Sequence, residues 1–283
     1  MSEQVYLNGE YVDYADAKVS VEDRGFQFAD GIYEVIQVVD GQLFAMDPHL
    51  DRLAEGAEIM QIPVPISQDE FWRVARRLIQ VNGVDEGCIY IQLTRGAAPR
   101  IHSFPDEIEP TLVVMARNLR VVTPGAKKRG GKIITAPDNR WGLCYVKTVG
   151  LVPNIMVRQK AKEAGAIEAV MVRDGLVTEG SHSNLFIVKD GEIWTHPLAN
   201  ILPGITRELA IEVARKEGLT VHEKAFSLDF MLEADEVFLT GTLTGVMPVV
   251  AVDDVTVGDG TPGPVTQQVS DAYDQLLEES LGK

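Results

Sequence analysis

Apolar and polar residues alternate over residues 6–12 about Asn8-Gly9, and again over residues 32–44 about Asp40-Gly41. Each stretch predicts a β-hairpin, because an Asx-Gly pair readily takes the left-handed turn that matches strand twist. The spacing then changes. Leu50, Leu53, Ala57 and Met60 recur at helical intervals behind Asp47-Pro48, which predicts a helix with an aspartate N-cap and proline in its first turn. A second helix is expected from the capping-box pattern Ser67-Gln-Asp-Glu70 to about Gly83. Apolar strands follow at 88–93 and 111–115, separated by a polar excursion carrying Arg95, Arg100 and His102. This order of elements predicts a small α+β domain over residues 1–119.

Periodicity fades around residues 118–131, where Pro124-Gly125 and Gly130-Gly131 fall, so an interdomain linker is expected at 120–131. Residues 132–283 then form a larger domain. Its expected elements are a strand at 132–135, a helix at about 154–163, and a meander over 168–195 with tight turns at Asp174-Gly175 and Asp190-Gly191. A helix at 206–217 ending at Gly218, a strand at 236–240 and a closing helix at about 265–281 complete it. Short, mostly antiparallel connections make this domain barrel-like or an open sheet. The fold class is two-domain α+β.

Composition narrows the functional classes. The 283 residues are 45% hydrophobic and 24% charged, enough to bury a substantial core. With 26 basic against 42 acidic residues the net charge is -16, which disfavours nucleic acid and anionic membrane as partners. The one short basic cluster, Lys127-Lys-Arg129, is read as a solvated loop. Cys88 and Cys144 lie far apart without a shared motif, so neither a disulfide framework nor a metal site is expected, and Cys88 is placed in the core. No targeting segment or membrane span is read, which implies a reducing, cytoplasmic setting.

Two polar stretches stand out against this background: 178–191, beginning Thr178-Glu-Gly-Ser-His-Ser-Asn184, and Leu202-Pro-Gly-Ile-Thr-Arg207. Glu179 ends an apolar hairpin and so stands at the mouth of a sheet. Thr206 opens a helix, and amides at a helix start attract anions. Two look-alikes are set aside. Gly258-Asp-Gly-Thr-Pro-Gly263 matches a dinucleotide fingerprint by letter, but Asp259 would repel a pyrophosphate and no second parallel strand can follow, so it is read as a surface turn. In Ser181-His182-Ser183 adjacent side chains cannot form a nucleophile-base pair, and His182 is expected to pack or bond locally.

An aldehyde cofactor held at several points accounts for more. Lys147 sits in the apolar segment Trp141-Gly-Leu-Cys-Tyr-Val-Lys-Thr-Val-Gly150, and a partly desolvated lysine can act as an amine nucleophile that forms a Schiff base. A lysine stem covering apolar surface, with its head in water, is the plainer alternative. Glu179 could pair with a protonated pyridine nitrogen, as pyridoxal phosphate requires. Ile205 and Thr206 at the helix start, the Gly241-Thr242 turn and Arg52 could bind the phosphate, although Arg52 could equally be a solvated helix charge. Leu202 could pack on the ring face. Arg100 and His102, two apart in an extended loop, would point the same way and offer a forked cation and a donor to a carboxylate; a solvated loop bent at Pro99 is the alternative.

Glu22-Asp-Arg-Gly-Phe-Gln-Phe-Ala-Asp-Gly-Ile-Tyr-Glu-Val35, Tyr90-Ile-Gln-Leu-Thr-Arg-Gly96, the Glu179 stretch and Gly204-Ile-Thr-Arg207 together resemble the class-IV, fold-type IV pyridoxal-phosphate aminotransferases along nearly the whole chain. Within that family the chain is most similar to the D-amino acid transaminases. The resemblance implies a small N-terminal sandwich-like domain, a larger barrel-like cofactor-binding domain, and a homodimer. It implies that Lys147 is the Schiff-base lysine and proton carrier, that Glu179 partners the pyridine nitrogen, and that Arg52, Ile205, Thr206, Gly241 and Thr242 surround the phosphate. Tyr33 matches the family's active-site tyrosine and Leu202 its ring-supporting leucine. Arg100 and His102 resemble the carboxylate trap that D-amino acid transaminases extend into the neighbouring subunit's site. The implied reaction is ping-pong transamination of D-alanine with 2-oxoglutarate. Branched-chain aminotransferases, (R)-amine transaminases, aminodeoxychorismate lyases and a silent binding protein of this fold are the alternatives. Gly241 stands where relatives often carry a small hydroxyl residue but can still donate its backbone N–H; Gln37, where they often carry lysine, and Ala97-Ala98 put substrate breadth in question.

Overall fold

The structure, a computed structural model, describes residues 3–119 and 125–282. Residues 120–124 of the expected linker lie outside the described residues. The described chain divides into two compact units: unit 1 contains the residues up to 119 together with Val146–Gly150, and unit 2 contains the remainder.

Unit 1 comprises β1 (Gln4–Leu7), β2 (Glu10–Asp13), α1 (Arg24–Phe28), β3 (Gly31–Val39), β4 (Gln42–Leu43), α2 (Met46–Met60), α3 (Gln68–Asn82), β5 (Gly87–Thr94) and β6 (Thr111–Asn118). The strands form an antiparallel sheet in the order β2-β1-β6-β5-β3-β4. Strand alternation puts Ile32, Ile36, Val38, Ile89, Ile91 and Leu93 on one face, where they bury against Leu50, Leu53 and Ala57 of α2 and Phe71, Val74 and Leu78 of α3. The opposite face carries the half-buried Tyr33, Val35, Gln37, Tyr90 and Gln92.

Ser67 caps α3 as expected, accepting from the Glu70 amide at 3.2 Å. Asp47 does not cap α2. That helix starts at Met46 behind a left-handed Ala45, and the Asp47 carboxylate instead accepts the Trp72 indole N–H at 2.6 Å. The short α1 was not anticipated; Asp23 caps it through the Gly25 amide at 2.8 Å.

Val146–Gly150 joins unit 1 for a hydrogen-bonding reason. β4 pairs only with Val38 and Val39, leaving the Gly31 end of β3 with an open edge. There the Tyr33 amide donates to the Lys147 carbonyl at 3.0 Å and the Val149 amide to the Gly31 carbonyl at 3.0 Å. The Lys147 backbone is therefore fixed to the same strand that carries Tyr33.

Unit 2 comprises α4 (Ala126–Arg129), β7 (Gly131–Pro137), α5 (Val152–Glu163), β8 (Glu168–Arg173), β9 (Leu176–Gly180), β10 (Asn184–Lys189), β11 (Glu192–Thr195), α6 (Ile205–Lys216), β12 (Val221–Glu223), α7 (Leu228–Leu232), β13 (Glu236–Gly241), β14 (Gly245–Val252), β15 (Val255–Thr256) and α8 (Pro264–Ser280). The sheet runs β12-β11-β10-β13-β14-β7-β8-β9, with β15 on β14, and curls into a half-barrel. It is more mixed than expected: β11-β12, β14-β7 and β7-β8 are parallel. The β7-β8 pair is parallel because α5 makes the crossover between them. Asp174-Gly175 and Asp190-Gly191 turn with φ of 52° and 80°, and 53° and 77°, the left-handed pairs that the hairpin pattern predicts.

Inside the curl, Ile133, Val170, Val177, Leu185, Ile187, Val237, Leu239 and Val249 pack with Phe226 and Met231. Lys127-Lys-Arg129 is not a loop but lies in α4, and Lys127 pairs with Asp274 of α8 at 2.7 Å. Gly258–Gly260 is a turn in which Asp259 accepts from the Thr261 amide at 3.0 Å. Cys88 and Cys144 are buried and unbridged. Among the described residues, no helix is long and apolar enough to cross a membrane.

Candidate active site

In unit 2 the site is built around Glu179, at the end of β9 and 4% exposed. Its carboxylate accepts from Arg140 Nη1, from Asn184 Nδ2 at 3.0 Å and from the Leu202 amide at 3.1 Å to each oxygen. Arg140 is held in turn by Asp138, through Nε at 2.9 Å and Nη2 at 2.8 Å. Thr178 Oγ1 and Arg173 Nη2 also reach Asp138, each at 3.0 Å. Burial alone would raise the Asp138 carboxyl, but its bonds to Arg140 hold it at about 2. Burial would lower the Arg140 guanidinium, yet Asp138 and Glu179 together raise it above its ordinary value. The result is a carboxylate clamped by a buried cation, with its orientation fixed from three sides.

Asn184 connects this carboxylate to the start of α6. Its Nδ2 also donates to the Leu202 carbonyl at 3.0 Å. A Cβ on Gly204, the N-cap of α6, would fall 2.0 Å from Asn184 Oδ1, so the approach requires glycine. Among the described residues no side chain caps α6, so its first-turn amides, at the buried Ile205 and Thr206, are suited to an anionic acceptor. Asn184 pairs with Thr240 across β10 and β13, which brings Gly241 beside the 181–183 loop, its ideal Cβ 3.8 Å from the His182 carbonyl. Thr240 Oγ1 is buried and has no partner among the described residues. Uncapped amides, a glycine turn and an orphaned hydroxyl make a donor set suited to a phosphate group, and Glu179 suits a protonated ring nitrogen.

The Ser181-His182-Ser183 sequence serves a structural purpose. The buried Glu168 accepts from both serine hydroxyls, with Ser183 Oγ at 2.9 Å, and pairs with His182 Nδ1 at 2.7 Å. Burial opposes its ionisation, but His182, Ser181 and the Ala169 amide hold Glu168 at about 2. These side chains fix the loop that follows Glu179.

In unit 1, Lys147 is half-buried with Nζ 4.4 Å from the centroid of the Tyr33 ring. Tyr33 lies tilted against Tyr90, centroids 5.9 Å apart. Arg52 is not a solvated helix charge. Its Nε and Nη2 grip the two oxygens of Glu34 at 2.7 and 2.8 Å, and His49 Nδ1 donates to the same carboxylate at 2.7 Å. Burial would raise the fully buried Glu34, but Arg52 and His49 bring it down to about 2. His49 is lowered, first by burial and then by the charges of Arg52 and Lys147, against the pull of Glu34. Arg100 and His102 are exposed and rest on one aromatic ring: Arg100 Cζ lies 4.8 Å from the Phe28 centroid, and the His102 ring 5.4 Å from it.

The structure thus gathers Glu179, Leu202, Ile205, Thr206 and Gly241 within unit 2, with Thr242 in the turn that follows. Lys147 and Tyr33 lie together in unit 1, as do Arg100 and His102. Sequence reasoning missed Arg140, Asn184, Glu34 and His49. Glu34 carried a signal, since alternation places it on the apolar face beside Ile32 and Ile36, where an ionisable group needs a partner. Arg140 carried none, because it reaches Glu179 across 39 residues.

The class IV amino-transferase model matches residues 31–252, and the chain belongs to that family. Among its relatives is the D-alanine aminotransferase of Bacillus licheniformis, 41% identical over 99% of both chains. The branched-chain amino acid aminotransferase of Escherichia coli has a similar structure, with TM-score 0.91, 29% identity and coverage of 98% of this chain and 95% of that one. A T.th. branched-chain amino acid aminotransferase, solved with pyridoxamine 5′-phosphate, gives TM-score 0.90, 27% identity and coverage of 98% and 94%.

The Glu34 cluster gives the fold a pH dependence. Its carboxyl is depressed from an ordinary 4.5 to about 2, so its contribution is complete above pH 4.5 and is lost as the pH falls towards 2. Glu34→Gln should lower the unfolding free energy at pH 7 by roughly 3 kcal/mol, and the gap to wild type should close on acidification. Urea titrations at pH 7, 5 and 3 check this; a gap that stays constant would remove Glu34 as the titrating group.

Proposed function

We propose that this aminotransferase is a pyridoxal phosphate-dependent D-amino acid transaminase that converts D-alanine and 2-oxoglutarate to pyruvate and D-glutamate by ping-pong steps. The observation that carries this reading is the 41% identity with a D-alanine aminotransferase over 99% of both chains. The branched-chain enzymes share the fold at lower identity, 27–29% in the two solved structures compared.

When bound, pyridoxal phosphate supplies an electron sink for the pair released as the substrate Cα–H bond breaks. Lys147 would hold the cofactor by its aldehyde carbon in the resting enzyme and, as a free amine during the reaction, would carry the proton between substrate Cα and cofactor C4′. Tyr33, 4.4 Å from Lys147 Nζ, limits the directions the amine can take. Glu179, clamped by Arg140, keeps the ring nitrogen protonated, and Leu202 supports the ring face. Arg52, Ile205, Thr206, Gly241 and Thr242 hold the phosphate. Glu34 orients the Arg52 guanidinium in advance, so little freedom would be lost on binding. Arg100 and His102 take the substrate α-carboxylate, each pair serving the partner subunit of a homodimer. Gln37 tunes which side chains are accepted. The cytoplasm suits two buried, unbridged cysteines.

Titrating the holoenzyme with D-alanine should convert the visible cofactor absorbance to that of the aminated form, while L-alanine or L-leucine at equal concentration should not. Conversion by L-leucine with none by D-alanine would instead assign the branched-chain activity. Pyruvate release from aminodeoxychorismate, without a keto-acid acceptor and continuing beyond one equivalent, would assign a lyase. Lys147→Ala should abolish turnover and the visible absorbance of the lysine-bound cofactor; steady-state activity within about tenfold of wild type is the outcome that removes Lys147 from its role.

A further inference from the structure

Residues 96–104 leave β5 and carry the two side chains assigned above to the substrate carboxylate. The base of this loop is secured by backbone bonds: the Arg24 amide donates to the Gly96 carbonyl at 2.9 Å, and the Ala98 amide to the Glu22 carbonyl at 3.1 Å. The tip is held differently. Arg24 turns its guanidinium towards three successive carbonyls, with Nη1 at 2.6 Å from Ile101 O and 3.4 Å from Ser103 O, and Nη2 at 3.4 Å from His102 O.

Arg24 is 3% exposed, and an arginine at that depth needs a counter-charge. Its Nε donates to Asp30 Oδ2 at 2.7 Å. Asp30 is shared with the equally buried Arg95, whose Nε and Nη2 reach it at 2.7 and 3.1 Å. Arg95 is anchored to the end of α2, donating to the Met60 and Gln61 carbonyls at 2.7 and 2.9 Å. Its guanidinium also stacks 3.5 Å above the Phe104 ring, at the far end of the tip. Two guanidiniums on one carboxylate leave a surplus positive charge, and the loop carbonyls are what receives it.

One turn beyond Arg24 on α1, the Phe28 ring centroid lies 4.9 Å from the Arg24 guanidinium and 4.8 Å from that of Arg100, with the His102 ring tilted against it. Arg24 therefore holds the backbone of the tip, while Phe28 supports the two side chains that project from it.

We propose that Arg24, anchored through Asp30 to Arg95 and assisted by Phe28, is a positioning residue that sets substrate-carboxylate affinity by fixing the Arg100 and His102 segment. This rests on the reading that Arg100 and His102 bind that carboxylate. Arg24 touches no reacting atom; it acts through the three carbonyls. Lysine cannot replace it, because one ammonium lacks the planar fork that spans Asp30 on one side and the loop on the other.

The test is steady-state kinetics of holoenzyme variants with D-alanine and 2-oxoglutarate. Arg100→Gln checks the underlying reading and should raise KM for D-alanine about tenfold or more. Arg24→Lys should raise the same KM about tenfold with kcat within about threefold, and in an Arg100→Gln, His102→Gln double-variant background it should add less than about twofold, since a residue acting through these two side chains is silent once both are gone. Phe28→Leu, a half-buried and milder change, should raise KM by about threefold and carries the test if Arg24→Lys does not fold. If Arg100→Gln raises KM while Arg24→Lys and Phe28→Leu leave it unchanged, the positioning role is overturned and the carboxylate assignment stands. An effect of Arg24→Lys that is just as large without Arg100 and His102 would mark a general structural role and overturn the proposal too. If Arg100→Gln leaves KM unchanged, the carboxylate reading itself falls, and the proposal with it.

Discussion

A charge removed from water persists only where an opposite charge and enough hydrogen-bonding groups receive it, and this chain's candidate site is organised by that requirement. Glu179 is secured by Arg140, which Asp138 secures in turn. Arg52 is secured by Glu34, and Arg24 and Arg95 by Asp30. In each case the group assigned to a ligand, or to the loop proposed to meet it, is held in a fixed orientation by a buried partner of opposite charge. Such groups lose little freedom when a ligand arrives, and their fields are already oriented when charge develops.

The Glu179 and Arg140 pair has the widest consequences. Its carboxylate orders Asn184 and the Leu202 amide, Asn184 closes on Gly204, and Gly204 opens α6. A single ion pair thus links the group expected at a ring nitrogen to the amides expected at a phosphate. The contact between Gly204 and Asn184 leaves no room for a Cβ, which ties the glycine in Leu202-Pro-Gly-Ile-Thr-Arg207 to the geometry of Glu179 as well as to the helix start. In unit 1 the same logic operates through a strand edge: β4 is short, β3 is left open, and the segment bearing Lys147 completes the hydrogen bonding next to Tyr33.

What could be read from sequence follows from the range of the interactions concerned. Turns at Asn8-Gly9 and Asp174-Gly175, the Ser67 cap, and the helices carrying Leu50 and Thr206 depend on residues a few positions apart, and alternation or helical spacing exposes them. The parallel pairing of β7 with β8 and β14 depends on a crossover and a return from far along the chain, and nothing local announces it. Asp47 illustrates a competition that local rules miss, because an indole 25 residues away captured its carboxylate. Among site residues, those in dense motifs, such as Glu179 and Thr206, stood out by type and place. Arg140 and His49 did not, since their importance lies in what they pair with. Glu34 and Arg24 lie within the 22–35 motif, yet their tasks depend on partners across the apolar face of β3 and on the carbonyls of residues 101–103, which no local pattern reveals.

Most depends on the proposal that the Glu179 carboxylate keeps a cofactor ring nitrogen protonated. Stopped-flow measurement of the D-alanine half-reaction in Glu179→Gln holoenzyme tests this most directly, because glutamine preserves the shape but has no negative charge to keep the ring nitrogen protonated. The variant should still bind pyridoxal phosphate, and its rate of cofactor amination should fall by about a hundredfold or more. A variant that binds the cofactor and aminates it at the wild-type rate would contradict this role for Glu179.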